Sequence, residues 1–141
     1  MYGSRSFYGT TKLASELFIQ EYQSFYNLNS AITRFGVIAG PRQMGKTDQG
    51  IATLWLAKHY WNQNLSYIGY GGKGKQVRDI IHIDDVINLI DLQIHNISLF
   101  KGKIYNAGGG ITNSISLFEM TKLCEKLTGN SISISGIFEN R

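Results

Sequence analysis

Apolar residues change their spacing repeatedly along this chain, and that alternation most limits the folds open to it. From about Phe7 to Asn27, Leu13, Leu17, Phe18, Tyr22, Phe25 and Tyr26 recur at helical spacing, while Glu16, Gln20 and Gln23 fall largely on another face. Asn27-Leu28-Asn29 reads as a turn and Ser30 to Val37 as a mostly buried strand. A glycine-marked loop, Ile38 to Gly50, leads into a second amphipathic helix from Ile51 to Trp61. Leu65 to Tyr70 and Gln76 to Ile83 read as strands joined by a glycine-rich hairpin turn, Gly71 to Gly74. Asp84 is placed to cap a third helix with Val86, Leu89, Ile90, Ile94 and Ile97 on its apolar face. After a short strand, Lys103 to Ala107, Ser116-Leu117-Phe118-Glu119 spells a capping box with Ile115 and Met120 as its hydrophobic staple. That helix stops at Gly129, and Ser131 to Ser135 reads as a last strand. Strands alternating with helices define an α/β chain, and 141 residues suffice for one domain.

Charge and composition narrow the function classes. A net charge of +4 and a pI of about 9.2 suit an anionic ligand, yet Lys and Arg are scattered without a run, which argues against nucleic acid as a partner. Cys124 is the single cysteine, so no internal disulfide and no Cys-based zinc site is expected. Its helical surroundings predict a small buried hydrophobe. His59, His82 and His95 show no ligand spacing, and no metal is expected. No apolar run approaches the ~18 residues of a membrane span, and no secretory pattern opens the chain, so the expectation is a cytoplasmic protein.

Tyr8-Gly9-Thr10-Thr11-Lys12 carries the first chemistry. Residues four apart on a helix share one face. A phenol acts as a base near neutrality when a neighbouring cation favours its ionised form, and Lys12 is such a cation. In a chain with eight Tyr and nine Lys the spacing alone decides little. Two glycine motifs compete for attention. Gly40-Pro41-Arg42-Gln43-Met44-Gly45-Lys46-Thr47 fits the phosphate loop of nucleoside triphosphatases, but Thr47-Asp48-Gln49-Gly50 delays the helix that loop requires at its Lys-Thr. Gly69-Tyr70-Gly71-Gly72-Lys73-Gly74 spells a dinucleotide fingerprint, but a strand-like stretch follows it instead of a helix. Arg78 carries a guanidinium suited to a diphosphate, and Asn106 ends a strand just before Gly108-Gly109-Gly110.

Read in order, Tyr8-Gly9-x-x-Lys12, Arg34 with Gly40-Pro41-Arg42-Gln43, Gly72-x-Gly74-x-Gln76-Val77-Arg78-Asp79 with Asp85, and Tyr105-Asn106-Ala107-Gly108-Gly109 resemble the extended short-chain dehydrogenase/reductase family of NAD-dependent nucleotide-sugar epimerases and dehydratases. Arg34 to Pro41, Gln43 to Gly50 and Tyr67 to Gly72 are most similar to the CDP-paratose 2-epimerase (CDP-tyvelose epimerase) subfamily. The resemblance implies an extended Rossmann-type α/β fold, of which this chain is the C-terminal part: residues 1–50 with the catalytic helix, strand and loop, and 51–141 with the substrate-binding region. It implies Tyr8 as catalytic base and Lys12 as holder of the nicotinamide ribose. Phe35, Gly36, Val37 and Ile38 would line the NAD site, and Gln76, Arg78 and Asn106 the nucleotide-sugar site. The subfamily reaction is transient oxidation of the sugar at C2, so NAD is the implied cofactor. The dinucleotide-binding N-terminal half, with its glycine loop, acidic ribose ligand and catalytic Ser/Thr, is implied as a missing partner, and a truncated, non-catalytic remnant is the alternative. Val37 stands where many members carry Asn. Such enzymes dimerise through the Tyr/Lys helix, so Leu17 and Phe18 are expected at an interface of a homodimer or higher oligomer.

Overall fold

The structure is a computed structural model that describes residues 6–46 and 49–138; expectations placed on Met1, Thr47, Asp48 and Arg141 lie outside these. The order is α1 (Phe7–Tyr26), β1 (Ile32–Phe35), β2 (Val37–Ala39), α2 (Ile51–Tyr60), β3 (Leu65–Ile68), β4 (Val77–His82), α3 (Ile83–His95), α4 (Ile97–Phe100), β5 (Ile104–Ala107), β6 (Ser114–Ser116), α5 (Leu117–Thr128) and β7 (Ile134–Ile137). Two compact units result. One takes in the residues up to Arg34 together with Asn88–Asn106, and the other Phe35–Ile87 with the residues from Ala107 onward. Residues 88–106 thus return to the first unit.

In the first unit, Ser6 caps α1 by accepting the Gly9 N–H at 3.0 Å, and Asn27 ends the helix in the left-handed region at φ 51°. No residue of α1 is buried. Its least exposed positions are Glu16 and Gln23, and these hold the helix to the rest of the unit. Glu16 meets Arg34 of β1, and the Gln23 side-chain oxygen accepts from Ser30 Oγ at 3.2 Å. The apolar residues of α1 consequently face solvent, with Leu17 54% and Phe18 67% exposed. Strand β1 pairs with β5. Behind them the buried Gln93 of α3 exchanges hydrogen bonds with Thr33 at 2.8 and 3.2 Å. That pair corrects the expected apolar face of α3, where Ile90 and Ile94 are exposed and a glutamine takes the inward position. Asp84 lies within the first turn of α3 rather than at its cap.

The second unit has the buried core: Trp55, Leu65, Leu117, Met120 and Cys124, with Ile80, Ile115 and Ile134 packed on it. Strand β4 is central to its three-stranded sheet, parallel to β2 with Val37 opposite Ile80, and antiparallel to β6 with Arg78 opposite Ile115. Strand β3 pairs in parallel with β7, Leu65 opposite Ile134. The expected hairpin between β3 and β4 therefore does not form, because each strand pairs elsewhere. The turn between them is wound against β7 instead, where a Cβ on Gly72 would lie 2.8 Å from Gly136 Cα.

Helix α5 carries both arms of its capping box. Ser116 Oγ accepts the Glu119 N–H at 3.2 Å, and the Glu119 carboxylate accepts the Ser116 N–H at 2.8 Å. Gly129 closes it at φ 72°. Within the core Thr121 Oγ1 donates to Leu117 O at 2.9 Å and lies 3.0 Å from Trp55 Nε1 and 2.7 Å from the Tyr67 hydroxyl. Burial pushes the Cys124 thiol up to about 11, so little thiolate exists at neutral pH. Iodoacetamide at pH 8 is expected to leave native Cys124 unmodified and to label it after denaturation; rapid labelling of the native protein, read by mass spectrometry, would contradict this burial. Among the described residues no helix is long and apolar enough to cross a membrane.

Candidate active site

The Ser6 cap fixes where α1 starts, which puts Tyr8 and Lys12 on one face of its first turns. Lys12 Nζ lies 5.6 Å from the centre of the Tyr8 ring. At that distance the ammonium is drawn to the ring face. Tyr8 is 72% exposed, so its hydroxyl is open to a reactant. One turn beyond Lys12 the same helix is pinned: Arg34 donates to both Glu16 oxygens, Nε to Oε1 at 2.7 Å and Nη2 to Oε2 at 2.5 Å. This bidentate pair joins residues 18 apart, and nothing in the local pattern announces it. Hydrogen bonding to Arg34 holds the Glu16 carboxyl below its ordinary range. A depressed carboxyl stabilises the fold above its unfolded pKa, and the contribution vanishes as pH falls through the folded value. Glu16→Gln is therefore expected to lower the melting temperature at pH 7, with the difference from wild type closing as the solution is acidified toward and below the ordinary glutamate range. A difference independent of pH would remove the ion pair as its cause.

Gly36 breaks the strand expected to run from Ser30 to Val37. A Cβ there would lie 2.8 Å from Asp79 O, and its N–H donates to Ala107 O at 2.8 Å. The chain bends at this residue, so Phe35 ends β1 while Val37 and Ile38 open β2 beside β4. Ile38, expected in a loop, is thus in a strand. Arg78 is half-buried near the start of β4, and its Nη1 donates to Val77 O at 2.9 Å. Gln76 lies just before β4, and its side-chain oxygen is buried without a partner among the described residues. It is 6% exposed, and its amide donates to Ile68 O at 3.2 Å, tying the approach to β4 to the end of β3. Asn106 is exposed in β5. Tyr8, Lys12 and Asn106 belong to the first unit, and Phe35 to Ile38, Gln76 and Arg78 to the second.

A cavity of about 580 Å³ in the second unit was not foreseen; Gly40, Ile81, His82, Asp85, Asn113 and Glu119 are among its lining residues. His82 Nδ1 accepts the Asp84 N–H at 3.2 Å, which fixes the imidazole at its rim. The triphosphatase-like loop is built differently from a phosphate cradle. Lys46 N–H is taken by Gln49 O at 2.7 Å, a Cβ on Gly45 would lie 2.5 Å from Leu54 N, and α2 starts only at Ile51.

These residues fit one end of a dinucleotide. A phenol and an ammonium one helical turn apart match the reactive end by donor type. Among the described residues no glycine turn opens a helix in the way a dinucleotide pyrophosphate requires, since β4 follows Gly69–Gly74.

The NAD dependent epimerase/dehydratase family matches residues 1–108, and the chain belongs to it. CDP-paratose 2-epimerase of Salmonella typhi is 35% identical over 120 residues, 84% of this chain and 36% of that protein. UDP-glucuronate 4-epimerase of Thermodesulfobacterium geofontis is 30% identical over 122 residues, 86% of this chain and 35% of that protein. Among solved structures, UDP-glucuronic acid 4-epimerase from Bacillus cereus in complex with NAD superposes with a TM-score of 0.79 at 26% identity, covering 96% of this chain and 42% of that one. The chain thus spans little more than a third of the length of these curated relatives.

Proposed function

We propose that this chain supplies the Tyr/Lys helix and the substrate-binding region of an NAD-dependent nucleotide-sugar epimerase, with CDP-paratose as substrate and C2 as the carbon inverted. The observation that carries the reading is the Tyr8–Lys12 pair, capped into position by Ser6 with the ammonium facing the ring. Tyr8 accepts the proton of the reacting sugar hydroxyl, and Lys12 holds the nicotinamide ribose. NAD supplies reversible oxidation of the sugar carbon when bound. Phe35, Gly36, Val37 and Ile38 line that site, and Arg78 offers its remaining guanidinium donors to the substrate diphosphate. Asn106 lies near the nucleotide. The sugar and base rest on the Salmonella relative, at 35% identity.

A dinucleotide-binding segment is the partner this reading requires, since such a segment carries the pyrophosphate turn. The solvent-facing apolar side of α1, Leu17 and Phe18 included, is the surface for that segment or for a second copy. The test is conversion of CDP-paratose to CDP-tyvelose, followed by NMR, with NAD and this chain joined to the remaining portion of the Salmonella relative. Turnover of UDP-glucuronate but not CDP-paratose would replace the substrate assignment, and turnover of neither would sink the reading.

A further inference from the structure

Tyr8, Lys12 and Glu16 stand at successive four-residue steps along α1, so the reactive pair and the carboxylate share one side of the helix. An ammonium and a carboxylate at that spacing reach each other, and such pairs form readily on helix surfaces. Here each goes elsewhere. Lys12 Nζ is 5.6 Å from the centre of the Tyr8 ring, and Glu16 is gripped by Arg34, Nε to Oε1 at 2.7 Å and Nη2 to Oε2 at 2.5 Å.

Arg34 holds this carboxylate by geometry. A guanidinium presents two parallel donors to two carboxylate oxygens, whereas an ammonium is a point charge on a flexible stem. The Glu16 side chain is 15% exposed, so water compensates little of its charge and a nearby cation is needed. Without Arg34, the cation at hand is Lys12, four residues back on the same helix. The far end of α1 has ties of its own: Ser30 Oγ donates to Gln23 Oε1 at 3.2 Å, and Lys101 Nζ to Asn27 Oδ1 at 2.7 Å. Removing Arg34 therefore leaves the helix attached and sets the carboxylate free.

We propose that Arg34 is a positioning residue for the Tyr8–Lys12 pair: by occupying both oxygens of Glu16 it keeps that carboxylate from capturing Lys12, and the ammonium stays at the Tyr8 ring. Arg34 touches no reacting atom and acts through Glu16 alone. That the freed ammonium serves to hold a nicotinamide ribose rests on the epimerase reading; that Arg34 frees it does not.

The experiment reads Lys12 directly. In the ¹³C-resolved NMR spectrum of the chain, the Lys12 ε-methylene is expected upfield under the Tyr8 ring current, and Lys12→Arg identifies the signal. Arg34→Gln is expected to abolish that upfield shift. Adding Glu16→Gln to Arg34→Gln is expected to restore it, since no carboxylate is left to capture the ammonium. In the chain joined to the remaining portion of the Salmonella relative, Arg34→Gln is expected to weaken NAD binding about tenfold by calorimetry, with recovery in the double variant. If Arg34 merely fastened the helix, the double variant would be no better than the single one. That result, or an unchanged Lys12 signal in Arg34→Gln, would overturn the proposal. Where Arg34→Gln does not fold, Arg34→Lys, which cannot grip both oxygens, tests the same signal: partial loss supports the proposal and full retention overturns it. The expected Lys12 shifts without sugar turnover in the joined protein would leave this inference standing and remove the epimerase reading alone.

Discussion

Tyr8→Phe, in an enzyme completed by the dinucleotide-binding segment, is expected to cut turnover by about 10²–10⁴-fold, the usual worth of a positioned acid/base group. Nucleotide-sugar affinity should change little, because the ring and its contact with Lys12 remain. The hydroxyl has no hydrogen-bond partner among the described residues, and Tyr8 is largely exposed, so its loss leaves no orphaned donor and little packing change. A fall in kcat with KM and melting temperature unchanged separates chemistry from folding. Turnover within a factor of two of wild type would take Tyr8 out of the reaction.

The second large effect concerns the fold. Trp55 is 4% exposed, stacks on Tyr67 with ring centres 6.1 Å apart, and its indole N–H is 3.0 Å from Thr121 Oγ1. Trp55→Ala empties the middle of the second unit's core and is expected to cost about 3–5 kcal/mol. Against a total of roughly 5–15 kcal/mol for a domain, much of the folded population would be lost on warming. Urea unfolding followed by circular dichroism measures the shift. Trp61→Ala serves as the control: at 68% exposure it should move stability by no more than about 0.5 kcal/mol. Equal effects at the two positions would mean that the core is not where the structure puts it.

Local signals were readable where one segment determines its own conformation. Ser116 and Glu119 cap α5 within four residues, and the periodicity of Phe7 to Tyr26 needs only the chain itself. Tyr8 and Lys12 were legible for the same reason, since a single helix brings them together. What escaped depends on distant partners. Gly36 is a break because the carbonyl of Asp79 lies against it, more than 40 residues later. Strands β3 and β4 read as a hairpin because a glycine turn joins them, yet β3 finds β7 and β4 finds β2. The bond from the Gln76 amide to the Ile68 carbonyl likewise joins residues on two different strands' ends and has no local signature. The three-residue β6 was too short to show any period.

The hydroxyl of Thr121 has one hydrogen and faces three neighbours. Leu117 O can only accept, so that hydrogen is spent there. Trp55 Nε1 can only donate, which occupies one lone pair of the oxygen. Tyr67 must then supply its own hydrogen to the other, at 2.7 Å. With all three bonds made, the Tyr67 hydroxyl has a single direction in which to point.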